Sequence, residues 1–211
     1  IGETHLEGLG NRQGVKEEKA DIIDHIRRDG LLVLNADDPL CVNAAEETDA
    51  QVWWFSMTKE VEQGAYVDGD QIFLVEDGER ALVCAIDEVP IPGRHNVENT
   101  LAALLLGRRM GAPLESLMKT LAKFKGVEHR IEYVGETKDG VRYYNDSKAT
   151  NIDSLEKALL SFDKPVVLVA GGRHRSAAYD RLTSLVRDRV KKLILIGEAT
   201  PLMRKAWGAD V

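Results

Sequence analysis

Two short strings in this 211-residue sequence gather the residue types that bind and activate anionic substrates. The first is Gly93-Arg94-His95-Asn96, with Asn99 following on the same helix. The second is Asn145-Asp146-Ser147-Lys148-Ala149-Thr150-Asn151. Each is expected to open a helix. A helix opening leaves backbone N–H groups unpaired and lies at the positive end of the macrodipole, so it favours negative charge. Side-chain amides, a cation and hydroxyls at two such openings suggest a site for phosphates and carboxylates between two domains. Asp146 could accept from sugar hydroxyls, Lys148 could neutralise a phosphate or carboxylate, and Thr150 could donate to a carboxylate. The plainer alternative is a helix cap, where Asp, Ser, Thr and Asn are all common. A cap alone does not explain a lysine set in the middle of the string.

Weaker candidates surround these two. Gly171-Gly172 ends an apolar run and would let a ligand approach the backbone closely. Arg173-His174-Arg175 follows it and adds positive charge, or forms a solvated basic loop. Arg130, beside His129, could fork onto a phosphate or make a surface ion pair. Asp37 and Asp38 could hold a metal, but a turn with a helix cap is the stronger reading. His5 and Lys19 stand alone, and by residue type a structural histidine and a solvated lysine are the default.

The elements that must carry these residues follow from periodicity and punctuation. A helix is expected over 15–29, with Val15, Ile22, Ile23 and Ile26 on one stripe and Gly30 as its stop. Strands follow at 31–34 and 52–55, with a short helix between them capped by Asp38 and begun by Pro39. Trp53 and Trp54 must face opposite sides of their strand. From 65 to 86 a period of two marks antiparallel strands, the last two joined at Asp77-Gly78. Helices are expected at 95–110 and 114–124, with the stripes Val97, Leu101, Leu104, Leu105 and Leu117, Leu121, Phe124 in the core. Gly126 to Arg130 reads as a domain boundary. Beyond it, strands at 131–134, 141–144, 166–170 and 193–196 alternate with helices near 152–161, 180–189 and the C-terminal end. That is an α/β pattern with a parallel sheet.

Composition limits the function classes. A net charge of −7 argues against a nucleic-acid scaffold, which would carry a basic stripe. No apolar run approaches the roughly 18 residues of a membrane span. Cys41 and Cys84 lie far apart in no ligand spacing, which fits a reducing cytoplasm better than a disulfide framework. A monomer with neither nucleic-acid nor membrane partners is expected.

Taken together, Thr4-His5-Leu6-Glu7, Lys19, Asn35-Ala36-Asp37-Asp38, Gly93–Asn96 with Asn99, His129-Arg130, Tyr144–Asn151 and Gly171-Gly172 resemble the Mur ligases. The 145–151 string resembles most closely their D-glutamate-adding branch, whereas Gly-Arg-His-Asn is shared more widely. The resemblance implies an α/β chain in which the later part of a central P-loop-type ATPase domain (1–126) precedes a Rossmann-like C-terminal ligase domain (127–211). It implies an ATP- and Mg2+-dependent amide ligase of peptidoglycan synthesis, serving cell wall biogenesis, cell shape and division. Such an enzyme joins D-glutamate to UDP-N-acetylmuramoyl-L-alanine through an acyl phosphate. By position, His5 and a carbamylated Lys19 would hold magnesium. Asn99, Arg130 and Asp146 would meet ATP, with Asp146 on the ribose. Lys148, Thr150 and Arg175 would meet the substrates, and Lys148, Lys19 and His5 would be the catalytic groups.

Several features depart from the family pattern. The P-loop is absent from this sequence, as is the Ser-rich segment that would grip glutamate, so the chain alone is expected to be inactive. Arg175 stands where a lysine is expected, and arginine is not an equivalent point charge. The opening Ile1–Gly8 looks more like the branch that adds D-alanyl-D-alanine. Other readings are a different Mur ligase, a folylpolyglutamate synthase-like enzyme, or a non-catalytic nucleotide-binding module.

Overall fold

In the computed structural model, residues 6–173 and 178–208 are described. The chain divides into two compact units, Ile1–Lys125 and Gly126–Val211.

The first unit begins with α1 (Leu6–Leu9) and α2 (Arg12–His25), the latter capped by Asn11, whose side chain accepts from the Gly14 N–H at 3.0 Å. Then come β1 (Leu31–Asn35), α3 (Pro39–Ala45), β2 (Gln51–Ser56), β3 (Gly64–Asp68), β4 (Gln71–Glu76) and β5 (Glu79–Ala85). A 3-10 turn at Ile86–Glu88 leads to α4 (Arg94–Arg109) and α5 (Leu114–Lys123). The strands form one sheet in the order β1-β2-β3-β4-β5, parallel from β1 to β3 and antiparallel from β3 to β5. Asp77 and Gly78, both at positive φ, close the β4–β5 hairpin as expected of that dipeptide. Asp38 caps α3, with Pro39 in its first turn.

The core of this unit lies between the sheet and α4. Trp53, Ile72, Leu74 and Val83 meet Val97, Leu101, Leu104 and Leu105. Trp53 is buried and Trp54 only half-buried, as alternation along β2 requires. The direction of α4 follows from its two ends. Arg94 donates to the Met57 carbonyl just past β2, while Arg109 donates to the Asp29 carbonyl just before β1. The helix opening therefore sits at the carboxyl ends of the parallel strands, where open α/β sheets place ligands. Two expected stripes differ. Ile22 is 64% exposed, because α2 turns Val15 and Ile23 inward. On α5, Leu117 packs only partly against the core and Phe124 is exposed, so that helix covers an edge.

The second unit contains β6 (Glu132–Glu136), β7 (Arg142–Asn145), α6 (Ile152–Leu160) and β8 (Val166–Gly171). A 3-10 turn at Tyr179–Leu182 runs into α7 (Thr183–Arg189), followed by β9 (Val190–Ile196) and α8 (Thr200–Trp207). The expectation of one parallel sheet is met only by β8 and β9. The short β6–β7 connection forces an antiparallel hairpin, which forms a separate two-stranded sheet. Leu159, Leu182, Val186, Val190, Met203 and Trp207 form the second core.

Gly171-Gly172 has a structural task. A Cβ on Gly171 would lie 1.8 Å from the Ile196 carbonyl oxygen, and Gly171 sits at φ 149°. At Gly171 the close backbone approach is thus made by β9, whereas a Cβ on Gly172 would meet open space.

Candidate functional site

At the carboxyl ends of β1 and β2, Asp37 collects three hydrogen bonds. Ser56 Oγ and Thr58 Oγ1 donate to its Oδ1 and the Met57 N–H donates to its Oδ2, each at 2.6 Å. Burial works against the charge on Asp37, but these donors prevail and hold its carboxyl below the ordinary value. The opening of α4 lies beside this turn. Gly93 has φ 101°, a left-handed conformation that favours glycine. Asn96 is 4% exposed, and both ends of its amide are used. Its Nδ2 donates to the Pro92 carbonyl at 2.6 Å, and its Oδ1 accepts from Asn99 Nδ2 at 3.2 Å. Asn99, exposed in the second turn of α4, is oriented by this bond, and its amide oxygen is the group that would accept from a ligand amine.

In the second unit, hydrogen bonds lace the segment before β6 to the string after β7. Asp146 Oδ1 accepts the Ile131 N–H at 3.1 Å, and the His129 carbonyl accepts the Lys148 N–H at 3.0 Å. The Asn145 amide meets His129 Nδ1 at 2.8 Å. These contacts hold His129 at φ 66° and Ile131 at φ 45°, a conformation that costs a β-branched residue on the order of 1–3 kcal/mol. Arg130 lies between these two strained residues, exposed, and near enough to Asp146 to act on its charge. The string then delivers Asn151 as the cap of α6, its side chain accepting from the Ser154 N–H at 2.8 Å. Lys148 and Thr150 are exposed, and the Lys148 backbone is held by the His129 carbonyl.

Burial raises the Asp146 carboxyl above its ordinary value, against the opposing pull of the Ile131 N–H and Arg130. A carboxyl raised on folding contributes stability that is full below the unfolded value and lost as pH rises through the folded one. At neutral pH its ionised form is therefore a net cost. Asp146→Asn keeps the oxygen that accepts from Ile131. It is expected to leave stability equal or higher by about a few tenths of a kcal/mol after solvent screening, measurable by urea denaturation at pH 7.

Among the sequence candidates, Arg130, Asp146, Lys148 and Thr150 lie together on this laced junction of the second unit. Asn99 lies at the α4 opening of the first. Lys19 is exposed on α2, while the neighbouring buried lysine is Lys16, which is paired with Glu47. His5 and Arg175 fall outside the described residues. Among the described residues no group of three His, Cys, Asp or Glu side chains is placed to hold a metal. An unmodified Lys19 ammonium does not fit magnesium, so no chemical step is drawn through the ion. Residue type alone concealed two participants. Asn96 looked like half of a motif rather than a buried bracket, and Asp37 like a turn residue rather than the hub of three donors.

The profile of the Mur ligase middle domain matches residues 1–107, and that of the Mur ligase glutamate ligase domain matches residues 129–209. The chain belongs to the Mur ligase family. The UDP-N-acetylmuramoylalanine--D-glutamate ligase of Pelotomaculum thermopropionicum is 39% identical over 210 residues, covering 100% of this chain and 46% of that protein. The enzyme of the same name from Bacillus subtilis is 39% identical over 205 residues, covering 97% and 44%. This Mur ligase chain thus spans less than half the length of these relatives. A crystal structure of MurF from Acinetobacter baumannii superposes with a TM-score of 0.75 at 19% identity, covering 100% of this chain and 48% of that one. A pseudomurein peptide ligase type C from Methanothermus fervidus gives 0.73 at 17%, covering 98% and 49%. These two likenesses establish the Mur ligase α/β fold. No helix among the described residues is long and apolar enough to cross a membrane.

Proposed function

We propose that this chain is the later part of the central ATPase domain (1–126) and part of the Rossmann-like C-terminal domain (127–211) of a D-glutamate-adding Mur ligase. The observation that carries this reading is the Asn145–Asn151 string, laced to His129–Ile131 so that an acid, two cations and a hydroxyl share one junction. The relatives that match nearly the whole chain are D-glutamate ligases, which supports the choice of amino acid. ATP transfers its γ-phosphoryl group to the carboxylate of UDP-N-acetylmuramoyl-L-alanine, giving an acyl phosphate and ADP. The D-glutamate amine attacks the acyl carbon. The tetrahedral intermediate expels phosphate, leaving the amide. Every species is anionic, so the demand on the protein is charge neutralisation and orientation.

In this reading Asn99 meets the nucleotide, Asp146 accepts from its ribose, and Arg130 faces its phosphates. Lys148 lies near the reacting carboxylate, and Thr150 and Arg175 near the incoming glutamate. His5 and Lys19 hold magnesium only if Lys19 is carbamylated, which exchanges an ammonium for a carboxylate donor. The proposed setting is the cytoplasm, as a monomer, in cell wall synthesis.

The test is phosphate release by the full-length protein that carries this chain. It is supplied with ATP, magnesium, UDP-N-acetylmuramoyl-L-alanine and D-glutamate, and separately with D-alanyl-D-alanine and its own acceptor. Release that requires D-glutamate supports the reading. Release only with D-alanyl-D-alanine reassigns the branch, and ATP binding without release points to a non-catalytic module. Asp146→Asn in the same protein is expected to weaken ATP binding by about tenfold, because a ribose hydroxyl loses its charged acceptor. Calorimetric titration with a non-hydrolysable ATP analogue measures it, and unchanged affinity removes Asp146 from the site.

A further inference from the structure

We propose that Asp37 is a positioning residue for the helix opening at 93–96, acting through the turn at 56–58 and Arg94. The inference rests on the nucleotide reading of that opening.

The link from Asp37 to α4 is indirect. Its carboxylate holds the turn that follows β2, with Oδ1 taking both hydroxyls and Oδ2 taking the Met57 N–H. Ser56 is fully buried, and its Oγ also accepts from the N–H groups of Thr58 and Lys59 at 3.1 and 2.9 Å. The turn is therefore built around one carboxylate. On its far side the Met57 carbonyl accepts from Arg94 Nη2 at 3.3 Å. One peptide-flanking residue, Met57, thus gives its N–H to Asp37 and its C=O to the first residue of α4. The Asp37 N–H is in turn held by Asn35 Oδ1 at 2.8 Å, which ties this relay to the end of β1. Arg94 is the residue that a sequence reading would aim at the ligand. Here one arm of its guanidinium is spent on the protein, fixing where the first turn of α4 begins.

The chemistry specifies the variants. Asp37→Asn keeps one accepting oxygen for the hydroxyls but turns an amide N–H toward the Met57 N–H, so it releases the turn without emptying the site. Arg94→Ala removes the other end of the relay. Each single variant in the full-length protein is expected to weaken binding of a non-hydrolysable ATP analogue by about fivefold, with the KM for D-glutamate unchanged. The double variant is expected to be no worse than the weaker single, since both break one relay. Independent, multiplying losses would overturn the proposal, as would unchanged nucleotide affinity in Asp37→Asn. Hydrogen exchange across 93–100, read without nucleotide, separates this proposal from the functional reading. Faster exchange there in both variants, with the C-terminal half of α4 unchanged, supports the relay even if the wild type binds no nucleotide. Unchanged exchange sinks it even if the wild type turns over.

Discussion

Lys148→Met is expected to lower kcat for D-glutamate ligation by about 10²- to 10³-fold in the full-length protein, the scale of losing one pre-placed charge at a developing anion. The expectation follows from how the residue is held. Its backbone N–H donates to the His129 carbonyl at 3.0 Å, so the main chain keeps its course whatever the side chain is. The side chain itself is exposed, with no core contact to lose. Methionine matches the lysine stem as far as Cε and removes the ammonium. Unfolding should be unaffected, which separates a chemical from a structural loss. A rate within about threefold of wild type would take Lys148 out of the charge-stabilising role. Equal losses in kcat and stability would make it a structural residue.

The largest effect on stability is expected at Trp207, and it should be confined to the second unit. Trp207 is 1% exposed in the core beneath β8 and β9. Its indole N–H donates to the Tyr179 carbonyl at 2.8 Å, and its ring meets Tyr179 edge-on with centroids 5.6 Å apart. Trp207→Ala removes that volume, the aromatic pair and a buried donor together, at a cost of about 3–5 kcal/mol. The variant carries its own reporter. The sequence has three tryptophans, and the remaining two, Trp53 and Trp54, both lie in the first unit. In urea, fluorescence should then follow the first unit alone, with its midpoint nearly unchanged. Far-UV circular dichroism should show an earlier loss of the second unit. A single coincident transition near the wild-type midpoint would refute both the magnitude and the independence.

Much of the architecture was legible because local rules and packing agree. Asp38-Pro39 starts a helix, Asp77-Gly78 closes a hairpin, and the stripe from Val97 to Leu105 is buried as read. The failures have specific causes. Ile22 and Phe124 match a helical period, yet α2 buries a narrower stripe through Val15 and Ile23, and Phe124 ends a helix that covers an edge. The β6–β7 pair carries no mark of which neighbour it will choose, and its short connection, not its composition, sets it antiparallel. At the site, the residue types of 145–151 were readable, but their partners were not. The strained backbone at His129 and Ile131 depends on bonds to residues some fifteen positions later, which no local pattern encodes.

The lacing between 129–132 and 145–148 lies at one end of the β6–β7 hairpin. At the base Glu132 faces Asn145, and near the tip Glu136 faces Arg142. At about 3.3 Å per strand residue, the four steps from Glu132 to Glu136 span roughly 13 Å, and the turn around Lys138 and Asp139 lies beyond them. Length changes at that turn need not be felt at the base, because the pairing between them absorbs the difference. The tip is thus a natural attachment point, where a fluorophore, an affinity tag or an inserted peptide could be carried while Arg130, Asp146 and Lys148 keep their places.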